Sequence, residues 1–167
     1  MAARLGRQTP RLLLIGRRGW SGWEIVRTID RLSQHPVLAD FVEVHNRMPD
    51  RGVVRVLAGA SALLYPSWTE GYGLPVAEAL ALGVPVLCSD LPVLREVGRD
   101  VPEYLDPDDL SGWEEAILEY AREGSLRRQA QLGRLAAWRA PSWEEHFRRL
   151  QPLIDEAPSE AARRRYA

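Results

Sequence analysis

Residues 61–89, SALLYPSWTEGYGLPVAEALALGVPVLCS, decide the fold of this chain. The stretch begins with a short apolar run that predicts a buried strand, and it continues into a loop with two glycines. PVAEALAL (75–82) then predicts a helix, because proline opens it and Gly83 follows its end. VPVLCS (84–89) is a second apolar run. A strand, a helix and a second strand in this order are typical of a parallel pair joined by a crossover helix.

The same alternation continues on both sides of this stretch. Further strands are predicted at RLLLIG (11–16), FVEVH (41–45) and PEYLD (102–106). Further helices are predicted over 22–34, 50–59, 91–97 and, with breaks near Gly124 and at 140–142, from Asp109 to about Leu153. Apolar strands that alternate with helices predict an α/β fold, a doubly wound parallel sheet flanked by helices, with additional C-terminal helices. In such sheets, ligands bind at the carboxyl ends of the strands.

Length and composition indicate one globular domain. The 167 residues allow a single core. We expect a flexible lead-in over 1–10, the folded domain over 11–154, and a disordered tail over 155–167. The net charge of −1 gives no general attraction to nucleic acid. No apolar run is long enough to span a bilayer and no export signal is recognised, so a cytoplasmic location is expected.

The loop after the third strand contains the residues that predict chemistry. Gly71 and Gly73 permit a sharp turn and bring backbone N–H groups close to a ligand. The helix that Pro75 opens has a positive N-terminal end that favours phosphate. Glu70 and Glu78 bracket this end; carboxylates repel phosphate but accept hydrogen bonds from hydroxyls. A nucleotide sugar has this arrangement, with hexose and ribose hydroxyls on the two sides of a diphosphate.

These residues resemble the donor site of the family 4 (group 1) retaining glycosyltransferases, relatives of sucrose and glycogen synthases. That family is marked by two glutamates separated by seven residues around a GFGLP or GYGLP interior, as in EGYGLPVAE (70–78). The similarity covers about residues 11–152, through LLLIGRRGW, ASALLYPSWTE, EALALGVPVLCSDLPVLREV, YLDPDD and SWEEH. The resemblance implies the C-terminal, Rossmann-like half of a GT-B fold that is incomplete at its N-terminal end.

The resemblance also implies a role for each residue of the motif. Glu70 would be the catalytic-site carboxylate that holds a hydroxyl of the transferred sugar, and Glu78 would hold the ribose. Backbone N–H groups would hold the sugar and the diphosphate, and they belong to Gly71, Tyr72, Gly73 and Leu74. Candidate nucleotide contacts follow the first two strands, at Gly16, Arg17, Arg18, His45 and Asn46. Structural alternatives stay open, with Glu70 as a solvated loop acid and Glu78 as an acid favoured only by the helix dipole.

Other polar and aromatic residues are interpreted as structural. His35 and His146 lack the spacing of metal ligands, and no metal site is predicted. Three tryptophans fall in predicted helices and are expected to pack in the core: Trp113, Trp138 and Trp143. Cys88, the single cysteine, is interpreted as a buried strand residue rather than a catalytic thiol.

The activity implied by the resemblance is hexosyl transfer from a UDP- or GDP-sugar with retention at the anomeric carbon. It needs no metal or other cofactor, and it serves bacterial capsule or lipopolysaccharide synthesis at the inner face of the membrane. The acceptor, a glycan or lipid-linked sugar, would bind through an N-terminal domain that this sequence does not match. The family's Arg and Lys that neutralise the leaving diphosphate are not identified, and the sequence contains no Lys. The catalytic histidine of the family's N-terminal domain is not identified either. The chain alone is therefore expected to bind donor weakly and to turn over little.

Other functions remain open at this point. One is a non-catalytic nucleotide-sugar-binding module, or a remnant whose acceptor domain comes from a separate chain. Another is a nucleotide-sugar epimerase of the same two-domain architecture, against which the GYGLP sequence argues. The last is a doubly wound domain with an unrelated ligand.

Overall fold

A computed structural model describes residues 9–16 and 23–156. The strands are β1 Leu12–Ile15, β2 Val42–His45, β3 Leu63–Tyr65, β4 Val86–Ser89 and β5 Glu103–Leu105. The helices are α1 Trp23–Gln34, α2 Asp50–Ala58, α3 Leu74–Ala81, α4 Pro92–Gly98, α5 Leu110–Ala121, α6 Leu126–Leu135 and α7 Trp143–Asp155. The predicted α/β order is confirmed. Most of the predicted lead-in and tail lies outside the described residues, so the domain limits stay predictions.

The strands are parallel throughout and form two sheets. β1 pairs with β2, from Leu12 opposite Val42 to Ile15 opposite His45. β4 lies between β3 and β5 in a three-stranded sheet. Every residue of β4 is buried, whereas no residue of β1 or β2 is. The parallel arrangement flanked by helices is therefore confirmed, and its well-packed part is the β3–β4–β5 sheet.

The core lies on both faces of β4. Val86 and Cys88 belong to a buried cluster on one face, together with residues of α3 and α4. Leu87 points to the other face, where it packs with Trp113, Ala116 and Tyr120. Because helices cover both faces, the first three residues of β4, Val86 to Cys88, are apolar at successive positions instead of alternating with polar residues.

Two of the three tryptophans expected in the core are buried, and the third is not. Trp113 and Trp138 are each 7% exposed, and each donates its indole N–H to a backbone carbonyl. Trp143 is 76% exposed and stacks on Phe147. The prediction for Trp143 was wrong because α7 contains no buried residue, so none of its faces belongs to the core.

A buried glutamine ties α6 to the central strand. The Gln131 amide nitrogen donates to the carbonyls of Val86 at 2.7 Å and Val101 at 3.0 Å. Its Oε1 accepts from the Val86 N–H at 3.2 Å. The side chain is fully buried. Its three bonds satisfy both backbone groups of Val86 at the start of β4 and the carbonyl of Val101, which precedes β5. Within the described ranges, no helix has the length and apolar character needed to cross a membrane.

Replacing Gln131→Leu is expected to lower the free energy of unfolding by about 2–4 kcal/mol, because buried backbone groups lose their partners. Gln129→Leu on the same helix is the control, since Gln129 is exposed and bonds only locally to Gly124. Urea denaturation of both variants checks the difference. Equal stabilities would contradict the role assigned to Gln131.

Candidate functional site

The loop between β3 and α3 holds the side chain of Glu70 by two hydroxyl groups. Tyr65, the last residue of β3, donates to Glu70 Oε1 at 2.7 Å. Ser67 Oγ donates to the same oxygen at 2.7 Å. Oε2 has no partner among the described residues. Glu70 is thus a half-buried and oriented carboxylate with one oxygen free to accept a hydrogen bond from a ligand.

The hydrogen bond from Tyr65 requires its phenol to stay protonated. Burial raises the pKa of Tyr65 to about 12, and the hydrogen bond to Glu70 and the charge of Glu70 act in the same direction. The neutral phenol is therefore the form present at physiological pH, and it remains available to hold the carboxylate.

Gly73 forms the N-terminal cap of α3 in a left-handed conformation, with φ 88° and ψ 44°. It is buried, and a Cβ added there would overlap the Leu94 side chain of α4. Glycine is therefore required at this position for two reasons, backbone conformation and lack of space. Gly71 has open space at the corresponding point, so the two glycines of the motif are under different constraints.

Successive backbone N–H groups in this loop are available to a ligand. The Gly73 carbonyl accepts from the N–H groups of Val76 at 3.0 Å and Ala77 at 3.3 Å. The N–H groups of residues 71–74 have no acceptor among the described residues. No side chain caps α3. The positive end of this helix is consequently open to an anion.

Glu78 is exposed on α3 at the fifth residue of the helix. The first turn of α3 contains no acidic residue. The dipole acts mainly within that turn, so it gives only a weak structural reason for a glutamate at position 78. An exposed carboxylate one turn from the open N-terminus is suited to accept hydrogen bonds from hydroxyls.

The candidate nucleotide contacts divide into three groups. Gly16 and Asn46 line one cavity of about 420 Å³ at the carboxyl ends of β1 and β2. His45 does not line it, and its Nε2 lies 3.3 Å from Glu43 Oε2. Arg17 and Arg18 lie outside the described residues.

The cavity also contains residues that the sequence did not single out. They are Ile15, Arg47, Met48, Pro49 and Val53. Arg47 directly follows Asn46 at the end of β2, and it has no ion-pair or hydrogen-bond partner in the described part of the chain. The sequence could have indicated Arg47 as a candidate ligand contact, because it follows a predicted strand and ligands bind at the carboxyl ends of parallel strands.

No group of three or more His, Cys, Asp or Glu side chains is placed to hold a metal ion in 9–16 and 23–156. The expectation of a reaction without metal stays a prediction.

The structure buries Cys88 and raises the pKa of its thiol to about 12, mainly by desolvation. The Cys88 thiol stays protonated at neutral pH and is a poor nucleophile, which agrees with a structural role.

Comparison with known proteins identifies relatives of this chain. Residues 1–123 match the family described as Glycosyl transferases group 1. The chain is 33% identical to O-antigen chain mannosyltransferase B of Escherichia coli over 133 residues, 80% of this chain and 34% of that protein. It is 48% identical to O-antigen chain mannosyltransferase RfbU of Salmonella typhimurium over 58 residues, 35% of this chain and 16% of that protein.

A third relative is named as a D-inositol 3-phosphate glycosyltransferase rather than a mannosyltransferase. The chain is 30% identical over 138 residues to D-inositol 3-phosphate glycosyltransferase of Xylanimonas cellulosilytica, which is 81% of this chain and 33% of that protein. The chain spans about a third of the length of two of these relatives, at 34% and 33%, and less of the other, at 16%.

Replacing Gly73→Ala is expected to destabilise the fold by about 1–3 kcal/mol, because the left-handed backbone and the Leu94 contact both oppose a side chain. Gly71→Ala is the matched control, since a Cβ at Gly71 meets nothing within 4 Å. Thermal unfolding of the two variants measures the difference. A Gly73→Ala protein as stable as the control would contradict the assigned constraint.

The pKa of Tyr65, raised from 10.0 to about 12 in the folded chain, predicts a pH-dependent contribution to stability. The contribution of the protonated Tyr65 phenol to the free energy of unfolding is fully present below pH 10 and is lost as the pH rises through about 12. The free energy of unfolding of the wild type should therefore approach that of Tyr65→Phe over this range. Tyr72→Phe, at an exposed position, is the control, and a stability difference that does not change with pH would contradict the prediction.

Proposed function

This chain belongs to the group 1 glycosyltransferases, and from that premise we propose that residues 70–78 bind a nucleoside diphosphate sugar. The sugar would pass to an acceptor hydroxyl with retention at the anomeric carbon. The observation that supports this most directly is the oriented Glu70 carboxylate beside four N–H groups without acceptors. A hydroxyl acceptor next to an anion site matches a hexose joined to a diphosphate.

In this proposal, Glu70 Oε2 accepts a hydrogen bond from a hydroxyl of the donor hexose. Tyr65 and Ser67 hold the other carboxylate oxygen, so the carboxylate is oriented before the ligand binds. The N–H groups of residues 71–74 donate to the diphosphate. Negative charge builds on the diphosphate as the bond to the anomeric carbon breaks, and preorganised N–H donors stabilise that charge.

The nucleoside part of the donor would contact two regions. Glu78 is exposed one turn into α3, where its carboxylate accepts from the ribose hydroxyls. The cavity lined by Gly16, Asn46 and Arg47 takes the base. Its volume of about 420 Å³ falls within the usual range for small-molecule sites, roughly 300–1,000 Å³.

The relatives indicate which donors to test first. Two of them are named as O-antigen chain mannosyltransferases. We therefore propose a GDP- or UDP-hexose as donor, a glycan or lipid-linked sugar as acceptor, and a role in bacterial surface polysaccharide synthesis. Independence from metal ions is part of this proposal, with the N–H groups and the end of α3 neutralising the diphosphate. An N-terminal domain would bind the acceptor.

Adding GDP, UDP, GDP-mannose or UDP-glucose at 100 times its Kd is expected to raise Tm by roughly 5–10 °C for the nucleotide that fits. Glu78→Ala should remove most of this shift by loss of the ribose contact. Glu114→Ala is the control, because Glu114 is an exposed glutamate of α5 outside the site. The proposal is contradicted if none of these ligands raises Tm, or if Glu78→Ala responds as the control does.

A further inference from the structure

Trp68 is a large side chain that the protein leaves uncovered beside the site. It is 65% exposed and lies in the loop between β3 and α3. Among the described residues it has neither an aromatic neighbour nor a hydrogen-bond partner. By contrast, Trp113 and Trp138 are 7% exposed, and the exposed Trp143 stacks on Phe147. Folding therefore gives no packing reason for an indole at position 68.

We propose that Trp68 packs its indole against the pyranose ring of the donor sugar that Glu70 holds. Trp68 would then be a specificity-determining residue for the sugar part of the donor. The inference rests on the proposed function, because it takes the ligand of Glu70 to be the hexose of a nucleotide sugar.

The position of Trp68 relative to Glu70 is set by a short bridge. Ser67 Oγ donates to Glu70 Oε1 at 2.7 Å, so the backbone of Trp68 lies inside a hydrogen-bonded segment of four residues. The Cα atoms of residues 68 and 70 are at most about 7 Å apart. This separation is comparable with the width of a hexose. An indole turned toward Glu70 would therefore reach a sugar that bonds to Oε2.

The order of groups along the loop favours the sugar over the rest of the donor. The unpartnered N–H groups of residues 71–74, which suit the diphosphate, follow Glu70 in the chain. Glu78, which suits the ribose, follows them in α3. Trp68 precedes Glu70 and so lies on the opposite side of it in sequence from the groups that suit the nucleotide. The part of a nucleotide sugar beyond the diphosphate is the hexose.

The chemistry of the two partners is complementary. A pyranose ring presents C–H groups on its faces and hydroxyls around its rim. The indole supplies a flat apolar surface for a face, and Glu70 supplies an acceptor for a hydroxyl. Covering the indole removes its exposed apolar area from water, which favours binding. A phosphate group would gain nothing comparable from this surface.

The test compares nucleotides with nucleotide sugars in the full 167-residue chain. Isothermal titration calorimetry measures Kd for GDP and GDP-mannose, and for UDP and UDP-glucose. Trp68→Ala is expected to weaken binding of the nucleotide sugar by about fivefold to tenfold. The Kd of the free nucleotide should not change. Trp68→Phe keeps an aromatic face and should retain most of the affinity.

Trp143→Ala is the matched control, because Trp143 is also a largely exposed tryptophan but lies on α7. It should leave every Kd unchanged. The role of Trp68 is contradicted, and the proposed function stands, if both proteins bind the nucleotides with the same Kd and have the same ratio of nucleotide Kd to nucleotide-sugar Kd. The role of Trp68 is also contradicted if Trp68→Ala weakens both ligands equally. If the wild type binds none of the four ligands, the proposed function fails as well.

Discussion

The absence of a side chain at Gly73 lets the loop of the candidate site rest directly on the core. Gly73 contacts Leu94, which is fully buried among residues of α3 and α4. The same glycine caps α3 in a left-handed conformation. The end of the loop and the start of the helix are therefore held by one tightly packed point. The open N–H groups of residues 71–74 and the carboxylate of Glu78 take their positions from it.

The other end of the loop is held by hydrogen bonds rather than by packing. Tyr65 and Ser67 both donate to one oxygen of Glu70, so the carboxylate is oriented from the end of β3. Near these two attachments Gly71, Tyr72 and Leu74 are exposed, and their N–H groups have no acceptor among the described residues. Unpaired polar groups in contact with water cost little, whereas buried ones are expensive. A preorganised but hydrated loop is thus compatible with stability and with binding of a polar ligand.

Burial is distributed unevenly over the chain, and the proposed site uses both parts. β4 is buried throughout and Gln131 secures its first residue. β1 and β2 contain no buried residue, yet the cavity proposed for the base lies at their carboxyl ends. A donor that contacts this cavity and residues 70–78 would stabilise the less buried part by its binding free energy. Binding of the nucleotide would then be coupled to the stability of the first two strands.

Sequence alone determined the order of strands and helices, their parallel arrangement and the position of the motif at 70–78. These features depend on the secondary-structure preferences of residues and on the spacing of apolar residues, and both can be read from short stretches of sequence. Tertiary structure decided which groups hold Glu70, why Gly73 and not Gly71 lacks room for a side chain, and that Arg47 lines a cavity. It also decided that Trp143 is exposed although it lies in a helix like Trp113. The physical reason is that burial and contact depend on elements packed from elsewhere in the chain, and no local pattern specifies which face they cover.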